Sequence, residues 1–423
     1  MKKLIFLLVL SLSLCSTSTF AQVSDDEIQL LRQQIQMLTE RLDAMERQNK
    51  QLAETVEESK TQTVAQTEEI VTEKVDEKVD EKMAAVSWAE RIRWSGDFRY
   101  RYENIDQEDR DGRNRSRIRA RTHLEADLAP TMKVGFGLAT GGDDPVSSNQ
   151  TIGGGGSSKD IKIDLAYFDW TGIKDTRVTG GKFKNFLIRP AKKGLMWDGD
   201  WRPEGLGAVW DNDFIFAQGL GTWLEGDSRR GTEFAWGIQA GFNFKTGDFG
   251  KLKIGGGYTV FDIAGATPVF GDPPYDFYGN TFINNPVSGN QEYLYNYRNW
   301  EIFAEWKIDK FTLFADYTQN TDADENDTGY LFGATYGSAK DKGQWDITYF
   351  YEKLEADAVV GLLTDSDFGG GGTDAKGHVI SGTYAFHKNW NFKATYFINK
   401  VNLAAGDDDS YKRLMLDLAF KFK

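Results

Sequence analysis

Beyond Trp88 the sequence alternates between apolar and polar residues with a period of two, and it keeps that period almost to its end. In RIRWSGDFRYRY (91–102), Ile92, Trp94, Phe98, Tyr100 and Tyr102 share one parity, while Arg91, Arg93, Asp97, Arg99 and Arg101 share the other. Successive side chains of a strand point to opposite faces, so this segment has an aromatic face and a charged one. A soluble sheet would set the aromatics against a core and the charges in water. A membrane barrel would set the aromatics in lipid and the arginines in a water-filled interior.

The lengths of the segments and of their connections decide between the two. NRSRIRARTHLEADL places Ile118, Ala120, Thr122, Leu124 and Leu128 on one side and Arg115, Arg117, Arg119, Arg121, His123, Glu125 and Asp127 on the other. MKVGFGLAT, TEFAWGIQAGFNF, LKIGGGYTV, NWEIFAEWKI, FTLFADYTQ, WDITYFYEKL, NWNFKATYFI and YKRLMLDLAFKF repeat the pattern. Their lengths lie near the ~9–11 residues of a lipid-spanning strand. APT, TGDFG, DK and HKN are tight turns, whereas GGDDPVSSNQTIGGGGSSKD, the stretch from Asp262 to Arg298, and EADAVVGLLTDSDFGGGGTDAKG are long. Short turns on one rim and long loops on the other mark an outer-membrane barrel. A soluble propeller would carry a blade repeat of roughly 40–50 residues, and there is none. The expectation is an all-β transmembrane barrel of about 16 antiparallel strands over residues 88–423. Its last strand sets Leu416, Leu418, Phe420 and Phe422 outward, the pattern that the barrel-assembly machinery reads, although Lys423 follows the final aromatic.

The beginning of the chain has other periods. MKKLIFLLVLSLSLCSTSTFA has two lysines, an apolar run and small residues ending at Ala21, which reads as a cleaved secretory signal over 1–21. Cys15, the only cysteine, lies within it, so a mature disulfide or cysteine metal site is not expected. Residues 22–87 follow a seven-residue repeat. Ile28, Ile35, Leu42 and Asn49 fall on one core position, and Leu31, Leu38, Met45 and Leu52 on the other. This is an α-helical coiled-coil stalk, with Asn49 the kind of buried polar residue that fixes register. Arg41, Leu42, Met45 and Glu46 resemble a short motif of trimeric coiled coils, which favours a homotrimer over a dimer. Residues 25–90 hold 17 acidic and 8 basic residues, a net charge of −9 out of −14 for the whole chain. The total charge argues against nucleic acid as a partner, but it says little about the barrel interior.

Charge also tests how the first two strands pair. Setting residues whose numbers sum to 218 opposite one another brings Glu103 to Arg115, Asp97 to Arg121, Arg93 to Glu125 and Arg91 to Asp127. Opposite charges across strands favour that register. It leaves Arg99 facing Arg119 and Arg101 facing Arg117, and like charges directly opposite are destabilising. With Arg121, these arginines form a cluster that needs water, a partner or a purpose. The irregular segment LIRPAKKGLMWDGDWRPEGLG carries Asp198, Asp200 and Glu204. Folded into the barrel, it would turn those acids toward the arginines and make a constriction that sorts solutes by charge and dipole.

GDFRYRYE, RNRSRIRARTHLEADL, VGFGLATGGDDPVSSNQTIG, DIKIDLAYFDW, GGKFKN and WDGDWRPEGLG resemble the putative porins of Gram-negative bacteria that carry an N-terminal coiled coil. The resemblance is strongest over roughly 94–210. It implies a 16-strand trimeric outer-membrane barrel that passes small solutes passively, with the stalk in the periplasm. Phosphate-type anion porins share the layout, but their arginine ladder is only partly echoed here. The reading is therefore a diffusion porin for small hydrophilic solutes and ions, with a mild anion preference from the lumen arginines. Outer-membrane lipid and lipopolysaccharide are its expected surroundings. The alternative is a structural tether that uses the coiled coil and conducts little.

Other signals are set aside. TIGGGGSSKD and FGGGGTDAKG lack the GKS or GKT sequence of a phosphate-binding loop and read as flexible external loops. DADEND begins like a calcium loop, but Asp327 stands where glycine is needed. His123, His378 and His387 are scattered, and no nucleophile with an oriented histidine can be assembled. No enzyme activity, cofactor or metal is expected.

Overall fold

The computed structural model describes residues 90–226, 233–268 and 276–423, together with the four helical positions Met45, Gln48, Gln51 and Leu52. The chain divides into two units, Met1–Val86 and Ser87–Lys423. The signal assignment lies outside the described residues, as do the coiled-coil positions Ile28, Leu31, Ile35, Leu38, Arg41, Leu42, Glu46 and Asn49. Met45 and Leu52 are helical and exposed.

Among the described residues the second unit holds 16 long antiparallel strands. They are β1 Ile92–Gln107, β2 Arg113–Ala129, β3 Met132–Thr140, β4 Ile161–Trp170, β5 Thr176–Lys182, β6 Glu204–Asp211, β7 Ile215–Glu225 and β8 Glu233–Lys245. The rest are β9 Lys251–Phe261, β10 Tyr297–Ile308, β11 Phe311–Asn320, β12 Thr328–Gly337, β13 Trp345–Leu354, β14 Ala375–His387, β15 Trp390–Val401 and β16 Asp409–Phe422. Each pairs with the next, and β16 returns to pair with β1, for example Leu418 with Tyr100. The sheet therefore closes and has no free edge, which is how strands satisfy their backbone groups in lipid.

The period-two pattern maps onto the two surfaces as the charges require. Trp94, Phe98, Tyr100 and Tyr102 are exposed on the outside, while Arg101, Glu103 and Ile105 are buried inside. The first hairpin adopts the 218 register, with Asp97 opposite Arg121 and Glu103 opposite Arg115. At the closing seam, Phe422 packs edge-on against Trp94 with centroids 5.3 Å apart. Gly96 lies opposite Phe422, where a Cβ would collide with its ring, so the seam tolerates only glycine there.

Connections alternate as expected. Residues 130–131, 309–310 and 388–389 make tight turns on one rim, while 141–160, 183–203, 262–296 and 355–374 are long on the other. No helix among the described residues is long and apolar enough to cross a membrane.

Not all of the long loops stay outside. Residues 183–203 bury Leu187, Leu195, Met196, Trp197 and Trp201, and their backbone meets inward side chains of the barrel wall. The Ile188 amide donates to Gln239 on β8 at 2.6 Å, and the Ala191 amide to Glu305 on β10 at 2.6 Å. The second inward loop corrects the sequence reading. EADAVVGLLTDSDFGGGGTDAKG is no flexible external loop, because Ala356 through Leu363 are buried. Its apolar run packs on Leu195 and Trp197, on Phe277 and Tyr293 from the 262–296 connection, and on Tyr297 at the start of β10, in one hydrophobic cluster. Asp357 at its start accepts from the Tyr297 hydroxyl at 2.9 Å and from the Thr281 amide at 2.9 Å. Apolar burial outweighs the entropy of ordering the loop. The other glycine-rich stretch, around Gly153–Gly156, is exposed.

Candidate functional site

The inner faces of β1, β2 and β16 carry the charged side chains that alternation reserved for the interior. Arginines opposite each other on β1 and β2 would repel, and carboxylates threaded between them remove that cost. Asp97 accepts from Arg119 at 2.9 Å and from Arg121 at 2.8 Å. Glu103 accepts from Arg115 and from Arg413 at 2.9 Å. Asp417 takes two bonds from Arg101, at 2.6 and 3.0 Å. Charge-assisted bonds of this kind are the strong ones, and in an enclosed wall they leave few donors orphaned.

Both inward loops send acids to this wall. Asp200 accepts from Arg121 at 2.8 Å and from Arg119 at 3.3 Å. Burial alone would raise its carboxyl, but Arg119, Arg121 and Arg202 outweigh burial and hold it at about 2. Asp367 of the second loop meets Arg101 at 3.0 Å and Arg413 at 2.8 Å. Against the pull of burial, those arginines keep Asp367 far below the usual carboxylate range. The loops are also joined to each other. The Asp198 amide donates to the Leu363 carbonyl at 2.7 Å, and the Thr364 hydroxyl donates to the carbonyls of Gly194 and Leu195 at 2.9 and 2.8 Å.

Not every nominated residue joins this network equally. Arg101, Arg119 and Arg121 hold close ion pairs. Arg99 and Arg117 do not: their nearest carboxylate oxygens stand 3.9 and 3.7 Å away and belong to Asp417 and Glu103. Both arginines reach instead to Asn149, Arg99 to its side-chain oxygen at 2.6 Å and Arg117 to its carbonyl at 3.4 Å. Asp198 makes no ion pair with the arginines of the wall and accepts the backbone amides of Asp200 at 2.6 Å and Ser366 at 3.1 Å. Burial, Asp365 and Asp200 together push its carboxyl well above the usual range. Glu204 is not at the arginine wall. It begins β6 at the rim, largely exposed, and pairs with Lys182. The outward positions Leu416, Leu418, Phe420 and Phe422 of β16 line up with Tyr102, Tyr100, Phe98 and Gly96 of β1.

Sequence reasoning did not nominate Asp417, Arg413, Asp367 or Asp365. For the first two the signal was present. A closed barrel pairs its last strand with its first, and the register in which numbers sum to 518 (101 + 417) sets Asp417 against Arg101. Asp367 and Asp365 had no such signal, because their place depends on a loop folding inward.

Where the arginine wall and the two loops meet, a cavity of about 210 Å³ remains. Arg99, Asn149, Arg189, Asp198, Asp365 and Ser366 are among its lining residues. Toward the tight-turn rim the lumen widens into cavities of about 810 and 870 Å³. The arrangement is a narrow, charged space inside a closed barrel, with wider cavities toward the tight-turn rim. No cluster of three metal-ligating side chains among the described residues is placed to hold a metal ion.

The family model described as "Putative porin" matches residues 105–310 and 287–422. No curated protein matches the sequence. Among solved structures, OprB of Pseudomonas putida at high pH is similar, with 14% identity, a TM-score of 0.53, and coverage of 81% of this chain and 97% of that one. OmpF of Salmonella typhi, in complex with daunomycin, is similar at 11% identity and a TM-score of 0.50, covering 78% of this chain and 97% of that one. At these identities the likeness is one of fold.

Proposed function

The chain belongs to the putative porin family, and on that premise we propose that it is a passive diffusion channel of the outer membrane for small hydrophilic solutes and ions. The observation that carries this reading is the constriction itself. Two loops from the same rim are drawn into a closed barrel, and the opening left between them and the arginine wall is charged and only about 210 Å³ in volume. A barrel that served as an anchor alone would not need a polar opening held between apolar packing and ion pairs.

A mild preference for anions is part of the proposal. Arg99 and Arg117 have no close carboxylate of their own, so this wall offers a passing anion positive charge that internal pairing leaves over. The pore-lining set is Arg99, Arg101, Arg117, Arg119, Arg121, Asp198 and Asp200, with Glu204 marking the outer entry rather than the narrow part. The homotrimer, the periplasmic stalk over 22–87, and contacts with lipopolysaccharide and the barrel-assembly machinery belong to the same proposal. It rests for these on the sequence pattern of Leu42, Met45 and Asn49 and of the last strand.

Planar-bilayer recording under a KCl gradient tests it. Stepwise conductance, grouped in threes, with a reversal potential favouring chloride is the expected result. Folded, heat-modifiable protein that gives no conductance would overturn the channel reading in favour of the tether.

A further inference from the structure

The small central cavity is lined by groups of both signs that lack close partners of opposite charge. On the arginine side, Arg99 donates to the neutral Asn149 at 2.6 Å, and its Nε is buried without an acceptor. The Asp417 oxygen nearest to it, at 3.9 Å, is already held by Arg101 at 2.6 Å. Arg189, on the first inward loop, donates to the Trp197 carbonyl at 3.4 Å and lies in the field of Asp198 and Asp365 without a close ion pair to either. The same cavity is lined by two carboxyls contributed by different loops. Asp198 accepts amides of Asp200 and Ser366, and Asp365 accepts the amide of Asp367 at 2.9 Å, but neither has an ion pair among the described contacts. The remaining acids at the cavity are committed: Asp200 to Arg119 and Arg121, Asp367 to Arg101 and Arg413.

An enclosed charge without a partner is costly, and a ligand that supplies the partner is favoured there. A simple anion would satisfy the arginine side and be repelled by the two aspartates. A simple cation would do the reverse. A solute with a carboxylate at one end and an ammonium at the other satisfies both sides at once, and the cavity holds only a molecule of a few non-hydrogen atoms. We propose that the constriction is a selectivity site for small zwitterions of the amino-acid type, their carboxylate set against Arg99 and their ammonium against the Asp198–Asp365 pair. This deepens the channel reading and rests on it. Asn149 acts as the neutral placeholder on the arginine side, lending oxygen to Arg99 and Arg117 when no solute is present.

Swelling of proteoliposomes containing the full-length protein tests this with four solutes of similar size: serine as zwitterion, lactate as anion, ethanolamine as cation and glycerol as neutral control. Serine is expected to enter about fivefold faster than lactate or ethanolamine, the discrimination that a differential interaction of ~1 kcal/mol gives. Arg99→Gln should shift the remaining preference toward ethanolamine, and Asp365→Asn should shift it toward lactate. A residue with only a structural role would not move selectivity in opposite directions, and either variant alone suffices if the other fails to fold. Equal entry of serine, lactate and ethanolamine, with glycerol also entering, would overturn the zwitterion site and leave the channel standing. Exclusion of glycerol as well would overturn both.

Discussion

The two halves of the lumen are built by opposite means. Along β1, β2 and β16 the wall is a lattice of arginines and carboxylates, with Arg101, Glu103 and Arg413 almost fully buried and each held by several partners. Across the lumen, against β11, β12, β13 and β14, the loops are held by apolar packing. Leu195, Trp197, Leu362 and Leu363 join Phe314, Leu331, Phe350 and Val379 in one cluster. Even the cation there is treated differently. Lys193 lies 4.9 Å from the centroid of the Phe350 ring, and burial pushes its ammonium down to about 8. The charged half fixes where water and solute pass, and the apolar half fixes the loops that make the passage narrow. A hydrophobic contact is non-directional and cannot place charge, whereas an ion-pair lattice places charge but is a poor source of net stability.

Three perturbations separate the halves. Arg101→Gln has the largest expected effect, because it leaves Asp417 and Asp367 buried with one partner fewer. Removing one member of such a pair costs roughly 3–5 kcal/mol, read as a lower urea midpoint for unfolding from lipid vesicles. An unchanged midpoint would mean that the lattice contributes nothing. Leu363→Ala acts on the apolar half and costs about 2–5 kcal/mol locally. It is expected to loosen the inward loops, raise single-channel conductance and admit larger sugars in swelling assays, while leaving ion preference as it was. If conductance stays constant, the apolar cluster does not set the width.

The smallest effect is one of pH. Asp198 is held above the ordinary carboxylate range by burial and by Asp365 and Asp200, so acidification neutralises it before a carboxylate in water. Asp200, held at about 2 by its arginines, keeps its charge. Lowering the pH from neutral toward about 4 should therefore strengthen chloride preference by a few millivolts of reversal potential, and Asp198→Asn should abolish most of that drift. For stability the signs are opposite. The raised Asp198 favours the folded protein at low pH and loses that contribution as pH rises through its folded value. The depressed Asp200 contributes above the ordinary carboxylate range, and its contribution disappears as pH falls toward 2. A reversal potential that is flat with pH in the wild type would remove Asp198 from the aqueous path.

Much of this was legible in the order of residues. Alternation in RIRWSGDFRYRY put Trp94 and Tyr100 outside and Arg99 and Arg101 inside, because a strand has only two faces. Charge matching fixed the first hairpin, since a slip by one residue would exchange its faces and a slip by two would lose the pairs between Asp97 and Arg121 and between Glu103 and Arg115. Even the inward turn of residues 183–203 could be argued, because Asp200 supplies charge that the arginines lacked.

What the sequence alone did not decide is which acids meet which arginines, and what becomes of residues 355–374. Composition made that loop look flexible, with four consecutive glycines. Its fate turned on AVVGLL finding Leu195, Trp197 and Tyr297, residues up to about 170 positions away in the chain. The local pattern determined each strand, its faces and the barrel they close into, because those depend on alternation and on neighbours in sequence. Tertiary structure alone decided the central opening, because Arg99, Asp198 and Asp365 come to one cavity only after the barrel has closed and both loops have folded into it.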